Sequence, residues 1–105
     1  MKIVNFNESN TILNQYVSEI RNVNVQNDRL RFRRNIERIG EIMAYEISKT
    51  FQYSVKDIQT PLGIAKVSTP DANIVISTIL RAGLPYHQGF LSYFDKAENA
   101  FVSAY

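Results

Sequence analysis

"NIVISTILRAGLPYHQGFLSYFDKAENAFVSAY", Asn73 to Tyr105, decides the fold. Asn73 to Leu80 is mostly apolar, β-branched at its start and without strict alternation, which predicts a strand covered on both faces. The run ends in Arg81, and Gly83 and Pro85 follow at once. Pro85 suits the first turn of a helix, where its missing N–H does no harm. Phe90, Leu91 and Phe94 give that helix an apolar face, and "NAFVSAY" begins another strand. Strand, turn, helix, strand predicts a crossover between parallel strands. The Arg81 turn then lies at the carboxyl edge of the sheet beside a helix N-terminus, where open α/β sheets bind ligands.

Upstream, "TPLG" (Thr60–Gly63) joins Val55–Thr60 to Ile64–Val67. Pro61 and Gly63 occupy the second and fourth places of a type I turn, which predicts a hairpin. Before it runs the strongest helical signal. Asn27 or Asp28 is a good N-cap, and Phe32, Ile36, Ile39, Met43 and Ile47 recur at intervals of four, three, four and four. Gly40 weakens that helix unless it packs closely against another backbone. Nearer the start, Ile3, Val4 and Phe6 predict a short strand. Ser9 or Asn10 caps a short helix carrying Ile12, Leu13, Tyr16, Val17 and Ile20. Asn22 to Asn27 reads as a connection.

One domain with a modest core fits 105 residues. The absence of cysteine excludes a disulfide framework, a redox centre and a thiolate zinc site, and fits a reducing cytosol. The opening "MKIVNFNESN" has no apolar signal region, and no stretch is long enough to span a bilayer. The expectation is a soluble, cytoplasmic protein without a membrane partner.

Arg81 has two readings: a solvated loop residue, or a planar five-donor fork set for phosphate oxygens. Ala82 and Gly83 keep the turn small enough for a ligand to approach backbone amides. Neither a Walker loop nor a dinucleotide fingerprint is present. Arg29, Arg31, Arg33, Arg34 and Arg38 place five of the twelve basic residues within ten positions. They read first as a solvated helix face with Glu37 and Glu41 as partners. The alternatives are a non-catalytic nucleic-acid-binding or dimerisation module, or an anionic effector site. A net charge of only +2 disfavours nucleic acid. His87, the one histidine, lies near the packing face of its helix and reads as structural. Asp71, Asp95 and Glu98 form no acid/base pair. Tyr45, Tyr86 and Tyr93 read as core or interface, and Gly89 as the point where the last helix approaches the sheet.

"ILRAGLPYHQGFL" resembles the "ILRAG" segment of uracil phosphoribosyltransferases. "FRRNIERIGEIMAYE", Phe32 to Glu46, resembles that family's long N-terminal helix, and "TPLG" the hairpin after it. The resemblance implies a type I-like phosphoribosyltransferase α/β fold with N-terminal helices, a β-hairpin and an incomplete parallel sheet. Residues 1–105 would be the N-terminal part of one such domain. It implies that Arg81, with Ala82 and Gly83, binds phosphoribosyl pyrophosphate, with Mg²⁺ sharing the charge. Uracil is the other implied substrate and UMP the product, in pyrimidine salvage. Homo-oligomers are usual in the family, and some members are activated by GTP. The 5′-phosphate cradle and the uracil-recognising segment have no counterpart here, so no catalytic residue and no metal ligand is assigned. This chain alone is expected to be inactive.

Overall fold

The computed structural model describes residues 3–103. Three helices run Leu13–Arg21 (α1), Arg29–Ser48 (α2) and Leu84–Tyr93 (α3). Four strands run Tyr53–Thr60 (β1), Gly63–Pro70 (β2), Val75–Leu80 (β3) and Glu98–Ser103 (β4). The expected N-terminal strand does not form. Ile3 and Val4 are exposed and irregular, and Phe6–Glu8 is a single 3₁₀ turn capped by the Asn5 side chain. The segment pairs with neither sheet, and local side-chain bonding shapes it instead, the Asn7 amide donating to Asn5 Oδ1 at 3.0 Å.

α1 starts later than its polar lead suggests. Thr11 Oγ1, not Ser9 or Asn10, accepts from the Leu13 amide at 3.2 Å. α2 begins where expected, with the Asp28 carboxylate accepting from the Arg31 amide at 3.0 Å. Its buried line is Asn35, Ile39, Gly40 and Ala44, about one position away from the apolar stripe read from sequence. Phe32 and Ile47, at the ends of that stripe, stay more than a third exposed. The shift follows from what α2 packs against. α1 lies on one side and α3 on the other, and small side chains face the closer neighbour.

That neighbour is α3, and two glycines set the distance. A Cβ on Gly40 would sit 2.6 Å from the Tyr86 carbonyl oxygen. One on Gly89 would strike the Glu37 carbonyl and come within 2.9 Å of the Gly40 Cα. Gly89 therefore admits α2 rather than the sheet, against the expectation. The sheet side of α3 is taken by His87, whose Nε2 lies 2.7 Å from Asn99 Oδ1 and whose ring centroid is 5.0 Å from that of Phe101. Tyr86 donates to Met43 Sδ at 2.6 Å and meets Phe90 edge-on, sealing the α2–α3 contact. Phe51 and Phe94 close its far end at 5.7 Å between centroids.

β1 and β2 form the expected hairpin, antiparallel from Tyr53↔Pro70 to Thr60↔Gly63, with Pro61 and Leu62 at the tip. Gly63 takes φ +130°, a conformation side chains disfavour. β3 and β4 pair in parallel from Val75↔Glu98 to Leu80↔Ser103, with α3 as the crossover. Ala104 and Tyr105, the end of the expected last strand, lie outside the described residues. β3 is not covered on both faces. Its burial alternates, with Val75, Ser77 and Ile79 exposed and Ile76, Thr78 and Leu80 half-buried, because α3 covers one side only.

Candidate anion-binding site

The β3–α3 turn is built by backbone bonds that point inward. The Gly83 amide donates to the Ile79 carbonyl at 3.2 Å, and the Leu84 amide to the Arg81 carbonyl at 3.0 Å. The His87 amide then takes the Gly83 carbonyl at 2.9 Å, and the helix is under way. A Cβ on Gly83 would strike Thr78 Oγ1 and lie 2.8 Å from the Ile79 oxygen, so only glycine fits that corner. The Leu80–Arg81 peptide is cis. The turn leaves Arg81 and Ala82 exposed at the carboxyl end of β3.

Of the three residues read as substrate contacts, the structure brings Arg81 and Ala82 to an open cleft of about 1100 Å³. Gly83 shapes the turn instead, its N–H already committed to Ile79. Among the described residues neither the Arg81 nor the Ala82 amide makes such a bond.

The opposite wall of the cleft is the start of α2. Arg29, Arg33 and Arg34 line it with Leu30, Phe32 and Ile36, while Leu84 and Pro85 line the α3 side. Sequence reading placed these arginines on a solvated face and did not join them to Arg81. The usable signal was the spacing. Positions 29 and 33 are four apart and share a side, whereas 31 and 38 are seven apart and share the other; Arg34, three from 31 and four from 38, lines the cleft despite that spacing. Arg31 and Arg38 do turn away. Arg31 pairs with buried Glu19 of α1 through its Nε, and Arg38 donates to Asn35 Oδ1 at 2.9 Å while its guanidinium lies over the Tyr16 ring at 5.3 Å.

Electrostatics distinguish the cleft from an ordinary surface. Its single carboxylate, Glu37, is paired with Arg34 at 3.1 Å. Among the described residues Arg29, Arg33 and Arg81 have no carboxylate within ion-pair distance. Three arginines without carboxylate partners among the described residues thus line one cleft near two helix N-termini, which add partial positive charge of the same sign. Like charges gathered in a concave surface raise the local potential for anions. Leu30, Phe32, Ile36, Leu84 and Pro85 add apolar side chains to the same lining. The described residues include no cluster of three or more His, Cys, Asp and Glu side chains able to hold a metal ion. His87 is buried away from the cleft between α3 and β4.

A family model described as uracil phosphoribosyltransferase matches residues 7–105. Two curated uracil phosphoribosyltransferases from strains of Porphyromonas gingivalis are 58% identical over all of this chain, which covers 49% of each. One from Methanococcus maripaludis is 36% identical over 92% of the chain and is covered to 42% of its length. A solved protein from Aquifex aeolicus superposes with a TM-score of 0.75 at 24% identity, over 89% of this chain and 44% of its own. The last likeness bears on fold alone. The chain spans about half the length of the curated relatives it matches.

Proposed function

Because the chain belongs to the uracil phosphoribosyltransferase family, we propose that it forms the pyrophosphate-binding side of such an enzyme. We take it as the N-terminal part of that domain. The reaction joins uracil to phosphoribosyl pyrophosphate, giving UMP and pyrophosphate in pyrimidine salvage. The observation that carries this reading is Arg81, exposed and without an ion-pair partner among the described residues, in a cleft at the carboxyl end of a parallel strand.

Uracil nitrogen forms a bond to the anomeric carbon and gives up its proton to pyrophosphate or solvent, while the bond from that carbon to pyrophosphate oxygen breaks. The electron pair leaves with pyrophosphate, so negative charge grows there. A guanidinium placed at that oxygen stabilises the charge more in the transition state than in the ground state. The Arg81 and Ala82 amides, without backbone partners among the described residues, add donors. Mg²⁺ in this class travels with the substrate's pyrophosphate oxygens. The cleft's one carboxylate is already paired, so these residues do not build a metal site of their own.

The test is a chimera in which these residues replace the matched half of the P. gingivalis relative. Arg81→Ala should slow turnover about 10- to 200-fold, the equivalent of one charge-assisted hydrogen bond. Arg81→Lys should recover little, because it keeps the charge and loses the fork. Steady-state constants unchanged by Arg81→Ala would remove Arg81 from the site. The 105-residue chain alone should make no UMP.

Two finer parts go with this reading. The arginines of α2 supply a place for an anionic effector such as GTP beside the substrate, and Arg29→Ala with Arg33→Ala should abolish any GTP response of the chimera. Self-association into a homo-oligomer is supported by apolar residues that the hairpin leaves open, Val55, Leu62 and Ile64. Sedimentation of the chimera tests it. We place the enzyme in the cytoplasm. No helix among the described residues is long and apolar enough to cross a membrane.

A further inference from the structure

α3 buries two of its residues, Gly89 against α2 and His87 against β4. The glycine brings no polar group, whereas a histidine only 4% exposed costs desolvation unless its ring finds partners. Nε2 finds one, Asn99 Oδ1 at 2.7 Å. The Asn99 side chain is itself oriented, because its Nδ2 donates to the Ala97 carbonyl at 3.3 Å and so turns Oδ1 towards the ring. An amide oxygen in that place requires a donor opposite it, which assigns the proton to Nε2. Nδ1 is buried without a partner among the described residues. The ring therefore grips β4 through one nitrogen only.

The same residue is tied to the Arg81 turn. Its backbone N–H donates to the Gly83 carbonyl at 2.9 Å, and Gly83, at the N-cap, has no side chain to close that end of the helix. On the sheet, Asn99 and Phe101 stand opposite Ile76 and Thr78 of β3, and Thr78 Oγ1 lies against the corner that Gly83 occupies. The Phe101 ring is 5.0 Å from that of His87. The turn thus has one end fixed by β3 and the other by the start of α3, which His87 pins to β4. We propose that His87 is a positioning residue: with Asn99 it fixes the height of the first turn of α3 above the sheet, and so aims Arg81 and Ala82 at pyrophosphate oxygens. This role rests on the reading of Arg81 as a pyrophosphate contact and adds to it the pair that holds the contact in place.

The test measures binding of inorganic pyrophosphate to the 105-residue chain by calorimetry, with amide exchange on the unliganded chain. His87→Leu, which keeps bulk and loses the donor, should weaken binding about fivefold or more. Asn99→Ala should do the same, and the two together no more than either, because they remove one bond. His87→Gln should restore most of the affinity, since its amide nitrogen presents an N–H where Nε2 does; His87→Asn, which reaches only as far as Nδ1, should not. In an Arg81→Ala chain, itself weakened about tenfold or more, His87→Leu should cost nothing further. The Gly83 and Leu84 amides should exchange about tenfold faster in His87→Leu, with β1 and β2 unchanged. If His87→Leu fails to fold, Asn99→Ala carries the same comparisons. Equal losses in the two Arg81 backgrounds, an Asn variant as good as the Gln one, or turn amides that exchange no faster would each overturn the role of His87. Binding indifferent to Arg81→Ala alone would remove the reading of Arg81 beneath it, so the two failures are told apart.

Discussion

The two sides of the α2 N-terminal half use one residue type in opposite ways. Towards α1, Arg31 and Arg38 are absorbed: one by the Glu19 carboxylate, the other by Asn35 and the Tyr16 ring. Towards the cleft, which Arg81 also lines, Arg29 and Arg33 have no carboxylate partner among the described residues. Composition does not distinguish these arginines. The angle of about 100° between successive helix positions does. Charge that meets a partner inside the fold serves stability, and charge that meets none is left for a ligand.

The contrast can be broken most severely from the packed side. Gly40→Ala would press a methyl group on the Tyr86 carbonyl, and should lower unfolding free energy in urea by about 1–3 kcal/mol. Next comes Glu19→Gln, which leaves Arg31 without its carboxylate and should lower the melting temperature at pH 7 by several degrees. The hydrogen bond from Arg31, and then that from Gln15, hold the Glu19 carboxyl below the ordinary carboxylate range. The folded state thus binds this proton less readily than the unfolded chain does. The stabilisation is complete above the unfolded-state value and is lost as pH falls through the folded one. Acid titration of the melting temperature should therefore fall less steeply for Glu19→Gln than for the parent chain. The smallest effect on stability belongs to the open side. Arg29→Ala with Arg33→Ala should change unfolding free energy by no more than about 0.5 kcal/mol per site, while making pyrophosphate binding weaker and less salt-sensitive. A stability loss as large as that of Glu19→Gln would mean the two sides are not different in kind.

The elements were legible where local chemistry decides them. Asp28 as a cap, "TPLG" as a hairpin tip and Pro85 as a helix start need only nearby atoms, and all three stand. Tertiary partners were harder to read. Gly89 could be recognised as a point of close approach, but a glycine does not say whether a helix or a sheet approaches. The apolar run of β3 suggested two covered faces, whereas one is bare in this chain. Arg81 and its place at the strand's carboxyl end followed from the strand–turn–helix pattern. The arginines that face it across the cleft did not, because they sit some fifty positions earlier and only the α2–α3 packing brings them near. Uracil itself came from likeness to a family, since none of the residues lining the cleft specifies a base.

The hairpin adds a consequence of its own. The Asp71 amide reaches the Gln52 carbonyl at 2.8 Å, so the chain enters and leaves β1–β2 through a single narrow neck. Beyond that neck the two strands pack chiefly on each other. Residues can be added or deleted in matched pairs along the ladder without re-aiming α2 or β3, because loop length weighs little once the ends are pinned together. The arm is thus free to change its reach over time while the arginines at the other end of the molecule keep their mutual distances.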